Sequence, residues 1–110
     1  MNDEIKFYFD GMYFTWDDEK EKANLRKHKV SFETAAWAFF DNFSVDLQDK
    51  YHDENEPRRN IIARPPSNVN VIFVVYVERF NINNHDLIRI ISARKANGKE
   101  KKLYEQNLHR

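Results

Sequence analysis

The residues best suited to chemistry lie in one stretch near the C-terminus, residues 87–104. An apolar, β-branched segment carries Arg89 inside it and ends in the sequence Ser-Ala-Arg-Lys at 92–95. A guanidinium within an apolar strand is unfavourable unless it meets an anion or an acid. Further cations follow at the end of the same segment. A multivalent anion such as an RNA backbone is therefore the leading candidate ligand.

Three groups of polar and basic residues are candidates for this site. Their members are Lys20, Asn24, Lys27 and His28 on one stripe of a predicted helix; Arg58 and Arg59 at the start of a strand; and Arg89, Ser92, Arg94 and Lys95, supported by Arg79 on the neighbouring strand. A solvated helix face explains the first group equally well. Because successive strand residues point to opposite faces, only one of Arg58 and Arg59 can join a given site. A salt bridge to Glu54 or Glu56 is an equally good explanation for these two arginines.

The third group poses a geometric problem. Strict strand alternation puts Arg89 on the face opposite Ser92 and Arg94. Both arginines can serve one site only if a bulge or the end of the strand redirects Arg94. We expect the latter, because Arg94 is where the strand gives way to a helix.

Such side chains can cleave RNA without a metal. Attack by the neighbouring 2′-hydroxyl needs a base, an acid for the leaving 5′-oxygen, and cations for the phosphorane-like charge. His28 has an unperturbed pKa near 6.5, in the useful range for proton transfer. Arginines stabilise phosphate oxygens through paired hydrogen bonds.

The sequence lacks the residues that several other functional classes require. The chain has no cysteine, and its four histidines have no metal-ligand spacing, so we expect no metal and no cofactor. Two glycines cannot build the usual nucleotide-binding loops. No apolar run reaches the roughly 18 residues of a membrane span, and no signal peptide is recognisable, which favours a cytoplasmic location.

The charge is strongly polarised along the chain. Net charge is zero over 110 residues, but residues 1–56 carry −7 and residues 57–110 carry +7. Neutrality therefore does not argue against nucleic-acid binding, which depends on a local patch. The length suits a single domain.

Hydrophobic periodicity predicts an α+β domain. We predict strands at 12–16, 44–49, 58–64, 71–80 and 87–93, helices at 17–29 and from Ser31, polar segments at 50–57 and 81–86, and a helical segment after Lys95. Residues 1–11 look weakly organised. The expected architecture is an antiparallel sheet packed by an N-terminal helical hairpin and followed by a C-terminal helix.

Two segments resemble a known family. WDDEKEKANLRKHKVSFETA, residues 16–35, resembles the N-terminal signature of the BrnT toxins of bacterial type II toxin–antitoxin systems. IRIISARKANGKEKKLYE, residues 88–105, resembles their C-terminal signature. The resemblance covers about residues 12–105, and two long motifs in the right order make it specific.

The resemblance implies a RelE-like fold and a metal-independent ribonuclease that inhibits translation. It also implies neutralisation by a BrnA-type antitoxin, a heterotetramer built on an antitoxin dimer, and operator DNA bound only through the antitoxin. Carried over by position, the implied catalytic residues are Lys27, His28, Arg58, Arg89, Ser92 and Arg94, and the implied RNA-binding residues are Arg79 and Lys95. Lys20 and Asn24, from the helical stripe, complete the expected RNA-binding set. Lys27 or His28 is expected in proton transfer, and Arg58, Arg89 and Arg94 on the phosphate.

The family N-terminus resembles the sequence from Met12. We therefore treat 1–11 as an extension of a single domain, 12–110, and hypothesise a second translation start at Met12. Two other functions stay open: a non-catalytic RNA-binding module, and a degenerate toxin that acts only as a co-repressor with its antitoxin.

Overall fold

The computed structural model describes residues 4–48, 57–80 and 86–109. Its strands are β1 (Phe7–Phe9), β2 (Met12–Thr15), β3 (Val45–Gln48), β4 (Arg59–Ala63), β5 (Ile72–Phe80) and β6 (Asp86–Lys95). Its helices are α1 (Asp18–His28), α2 (Phe32–Trp37) and α3 (Gly98–Leu108), with a 3₁₀ turn, Ala38–Phe40, after α2. The α+β class is confirmed. The predicted polar segments fall largely on 49–56 and 81–85, outside the described residues.

The strands form one sheet in the order β1-β2-β6-β5-β4-β3. Neighbouring strands are antiparallel except β2 and β6, which run parallel. The prediction of an antiparallel sheet is therefore wrong at this pair. Parallel neighbours require a long crossover, and here the chain passes through α1, α2 and three strands before β6 returns beside β2.

Local capping fixes α1 and α2 where the sequence predicts them. The Asp17 side chain accepts a hydrogen bond from the Lys20 N–H, and Lys29 ends α1 in the left-handed conformation, with φ 60°. Ser31 caps α2 by accepting from the Thr34 N–H. Both helices follow two strands, so they do not form the N-terminus of the domain.

The sheet has two differently covered faces. The side chains of Phe14, Tyr76 and Ile90 pack with Phe32 of α2 in the main core, so we call this side the helix-covered face. Helix α3 lies over the other side, where a small cavity is lined by Val45 of β3 together with Leu103, Gln106 and Asn107 of α3.

Residues 4–11 are more ordered than the sequence suggests. Strand β1 pairs with β2 through a tight turn at Asp10 and Gly11, both with positive φ. The Phe7 ring lies 5.2 Å from that of Trp37, and the Phe9 ring 5.3 Å from that of Phe40. The expectation of weak organisation is wrong because these rings pack against helical residues distant in sequence.

Helix α3 begins with a capping box. Asn97 accepts from the Glu100 N–H, and the Glu100 carboxylate accepts from the Asn97 N–H. Gly98 is the first residue of the helix rather than an interior one, so its usual penalty largely disappears. Tyr104 of α3 is buried, as is Ala96 just before the helix.

Candidate functional site

A bulge in β6 brings Arg89, Ser92 and Arg94 to the same face of the sheet. Val75 pairs with Ser92, but the next residue, Tyr76, pairs with Ile90, which leaves Ile91 as an extra residue. One extra residue reverses the alternation beyond it. We call the side that carries these three residues the arginine face; it lies opposite the helix-covered face.

The sequence left two explanations for this convergence, and the one we expected is wrong. Strand β6 continues through Lys95, so the end of the strand does not redirect Arg94. The bulge at Ile91 does so instead. Its position depends on pairing with β5, which the sequence of β6 alone does not reveal.

The bulge also separates Lys95 from the arginines. Lys95 pairs with the core residue Ile72, so it points toward the helix-covered side. There it helps line a cavity of about 90 Å³ together with Lys29 and Thr34, next to the C-terminal end of α1. Lys95 therefore lies near Lys29, on the side of the sheet opposite the arginines.

Arg94 is held by a carboxylate and an aromatic ring. Its Nη1 and Nη2 donate to the two carboxylate oxygens of Glu100 at 2.8 and 2.9 Å. Its Cζ lies 4.3 Å from the centre of the Phe73 ring. Burial opposes ionisation of Glu100, but the hydrogen bonds from Arg94 and the Asn97 N–H outweigh it and lower its pKa. Arg94 is thus fixed in position and already partly neutralised.

Arg89 lies near the start of α1. It pairs with Thr15 on β2 and with Val77 on β5. The hydrogen bond from the Lys20 N–H lowers the pKa of Asp17, and the charge of Arg89 lowers it further, by a smaller amount. Arg89 and the N-terminus of α1 therefore lie within electrostatic reach of each other.

Arg58 and Arg59 are divided between the two faces. Arg59 pairs with Tyr76 and so lies on the helix-covered side, where its Nη2 is 3.3 Å from Asp46. The Tyr76 hydroxyl donates to the same carboxylate at 2.9 Å. Arg58 is exposed immediately before β4, and continued alternation directs it to the arginine face.

Strand register directs Arg79 and Asn60 to the arginine face, and Arg79, near the end of β5, also borders a cavity lined by Tyr76 and Ile88 of the helix-covered side. Arg79 pairs with Leu87, two residues from Arg89 along β6, and Asn60 pairs with Val75, the partner of Ser92. The Asn60 Oδ1 is buried without a hydrogen-bond partner in the described part of the chain. Our sequence reasoning missed Asn60, although a lone amide within an apolar strand was a usable signal.

Asn24 has a structural task. Its Nδ2 donates to the carbonyl oxygens of Val30 at 3.0 Å and Ala93 at 2.8 Å, and its Oδ1 accepts from the Ala93 N–H at 3.1 Å. Strand β2 ends at Thr15, opposite Arg89, so within the described part of the chain no strand lies beside this edge of β6 at Ala93. The amide of Asn24 occupies that edge and attaches α1 to it.

The other residues of the α1 stripe are near the solvent. Lys20 and Lys27 are exposed, and His28 is half-buried in the last turn of α1. Asn24 fixes this helix beside the edge of β6, whereas the arginines project from a face of the sheet. Helix α1 and the arginines therefore both adjoin β6, but α1 lies along its edge whereas the arginines project from its face.

Two further structural findings concern the described residues only. Among residues 4–48, 57–80 and 86–109, no group of three or more histidine, aspartate or glutamate side chains could hold a metal ion. In the same ranges, no helix is both long enough and apolar enough to cross a membrane.

The fold and the arginine face define a class: a small α+β domain with a cationic sheet surface suited to an anionic ligand. A family model, described as the ribonuclease toxin BrnT of type II toxin–antitoxin systems, matches residues 16–100. The chain belongs to this family, and the resemblance noted in the sequence is confirmed. Membership implies ribonuclease toxin function and an antitoxin partner. No curated protein is significantly similar to the chain.

Proposed function

We propose that this protein is a metal-independent endoribonuclease that inhibits translation and is neutralised by a BrnA-type antitoxin. The observation that carries the proposal is the bulge at Ile91, which puts Arg89, Ser92 and Arg94 on one face of the sheet. Family membership supplies the reaction class.

The proposed reaction is attack of a 2′-hydroxyl on the adjacent phosphorus. A base removes the 2′-hydroxyl proton, the bond to the 5′-oxygen breaks, and an acid protonates that oxygen. The products are a 2′,3′-cyclic phosphate and a 5′-hydroxyl. Dependence on the 2′-hydroxyl restricts the activity to RNA.

The roles proposed for individual residues follow from their positions. Arg58 and Arg89 bind phosphate oxygens, with Arg79 beside them. Arg94, held by Glu100, orients the end of the site, and Ser92 and Asn60 offer polar contacts between the arginines. We propose Lys27 or His28, at the C-terminal end of α1, for proton transfer; because α1 approaches β6 from a different side than the arginines, this role requires the RNA to extend from the arginine face past the edge of β6. Lys20 and Lys95 are proposed as peripheral RNA contacts. Asn24 is left out of the RNA-contacting set because its amide is already engaged.

We further propose a RelE-like fold with α1 and α2 as its helical hairpin, a domain spanning 12–110 with 1–11 as an extension, and a cytoplasmic location. The antitoxin partner forms a heterotetramer around an antitoxin dimer and carries the operator-binding part. An antitoxin with an acidic segment would be steered toward the arginine face by complementary charge.

The test is expression of the chain alone and together with its neighbouring gene, followed by mapping of RNA ends. We expect growth arrest only when the neighbouring gene is absent, together with new 5′-hydroxyl RNA ends in the arrested cells. The purified protein should produce the same ends equally well in EDTA. Arg89→Ala and His28→Ala should each lose cleavage by at least about 100-fold. Lys101→Ala, which removes an exposed cation from α3, is the matched control and should cleave normally.

One observation favours the non-catalytic alternative. Arg94 is already paired with Glu100, which lowers its capacity to neutralise a transition state. Purified protein that binds RNA in EDTA and leaves it intact would establish a binding module instead. Normal growth of cells expressing the chain alone, with operator binding by the antitoxin complex, would establish a co-repressor.

A further inference from the structure

We propose that Tyr8, together with Tyr13, forms an aromatic subsite that stacks against an unpaired RNA base beside the arginine face. The inference deepens the proposed function and rests on it, since it assigns a base-binding role to the same RNA. Tyr8 lies outside the region matched by the family model. The subsite would therefore be a property of this chain's β1–β2 hairpin.

Strand pairing places both tyrosines in line with the cations. Tyr8 pairs with Tyr13, Tyr13 with Leu87, and Leu87 with Arg79. These four residues form a continuous row across β1, β2, β6 and β5. The adjacent row contains Arg89, so Tyr13 lies about 8 Å from Arg89 between Cα positions, given ordinary strand spacing.

The opposite side of the hairpin fixes the position of the tyrosines. Phe7 and Phe9 pack against Trp37 at ring-centre distances of 5.2 and 4.9 Å on the helix-covered face. Because successive strand residues point to opposite sides, this anchoring directs Tyr8 to the arginine face. The Tyr8 hydroxyl accepts from the Gly11 N–H at 3.2 Å, which further restrains the ring.

Tyr8 is accessible although it is anchored. The residue is 54 % exposed, and its ring centre lies 4.6 Å from that of Tyr13. An exposed aromatic ring beside arginines is the combination with which proteins bind single-stranded RNA, because the ring stacks on bases while the cations hold the backbone. Charge complementarity with the arginine face therefore favours RNA over an apolar protein segment as the occupant.

The test is binding of a fluorescent single-stranded RNA in which every 2′-hydroxyl is methylated, so that cleavage is blocked. We expect Tyr8→Ala to weaken binding about 5- to 150-fold, the range for loss of one stacked base. Tyr8→Phe keeps the ring and should bind within about twofold of the wild type. Phe43→Ala removes a ring of similar exposure, 48 %, far from the tyrosines on the turn before β3, and should leave binding unchanged.

An oligonucleotide series with single abasic positions identifies the stacked base. At one position, loss of the base should weaken wild-type binding and leave Tyr8→Ala binding unaffected. Tyr8→Leu guards against unfolding, because it keeps an apolar side chain on β1 and should still lose the stacking contribution.

Equal binding by Tyr8→Ala and the wild type would overturn the inference. Weaker neutralisation by the antitoxin with unchanged RNA binding would also overturn it and assign the tyrosines to a protein partner. Cleavage of unmodified RNA is measured in parallel. If the wild-type protein does not cleave RNA, the proposed function is refuted. If the wild-type protein cleaves RNA but the Tyr8 variants bind RNA as well as it does, only this subsite is refuted.

Discussion

At the scale of single residues, the polar side chains of the site have unequal tasks. Asn24 and His28 lie on one helical stripe and look equivalent in the sequence. The structure uses the amide of Asn24 to complete the edge of β6 and leaves His28 half-buried at the end of the helix. Stripe membership alone therefore does not identify an RNA contact.

Asn24→Ala should destabilise the protein by about 3 kcal/mol, because it leaves buried backbone groups of Ala93 and Val30 without partners. Urea unfolding measures the loss. Lys27→Ala, an exposed substitution on the same helix, is the control and should change stability by less than about 0.5 kcal/mol. Wild-type stability combined with weakened RNA binding would instead return Asn24 to the RNA-contacting set.

At the scale of elements, the bulge of β6 and the attachment of α3 decide the composition of the arginine face. The bulge reverses the alternation after Ile90, so Arg94 comes to the same side as Arg89. The pair of hydrogen bonds between Arg94 and Glu100 then connects β6 to the first turn of α3. Strand and helix thus share one ion pair at the end of the site.

This connection predicts a pH dependence of stability. The pKa of Glu100 is lower in the folded protein than its ordinary value, so the folded state binds the proton more weakly than the unfolded state. The resulting stabilisation is complete above the ordinary carboxyl pKa of about 4.3 and disappears as pH falls through the lower, folded value. Glu100→Gln should therefore lower the free energy of unfolding at pH 7. Between pH 6 and pH 3 that free energy should fall less in the variant than in the wild type.

Urea midpoints across that pH range test the prediction. Glu105→Gln removes an exposed carboxylate from the same helix and is the control for general charge effects. Parallel pH profiles for Glu100→Gln and the wild type would show that the pair contributes nothing to folding.

At the scale of the whole molecule, neutrality conceals a divided charge distribution. The N-terminal half supplies α1 and α2 with their acidic first turns, whereas the C-terminal half supplies most of the arginines. The sheet brings the arginines of β5 and β6 to one face. A protein of zero net charge can therefore bind a polyanion through that face.

RNA binding should consequently fall with salt. If Arg58, Arg79 and Arg89 each contact a phosphate, the logarithm of the binding constant should decline with the logarithm of salt concentration with a slope of about −2. Fluorescence anisotropy between 50 and 200 mM salt, roughly the range over which such effects are large, measures it. Arg58→Ala should reduce the slope by about 0.7, and Lys101→Ala should not change it. Salt-independent binding would exclude a phosphate-directed face.

The sequence by itself determined the features that depend on neighbouring residues. Asp17 and Ser31 signal the starts of α1 and α2, and the apolar run at 71–80 predicts the strand that becomes β5, because capping and periodicity act over a few residues. The two family signatures likewise stand in the sequence and identify the chain.

Only the tertiary structure decided which residues meet. Asn24 and Ala93 are 69 residues apart in the chain, and the bulge at Ile91 exists only relative to Val75 and Tyr76 on β5. The parallel pairing of β2 with β6 and the packing of Phe7 on Trp37 likewise join distant segments. Such contacts follow from how separate elements pack together, which no local pattern of residues encodes.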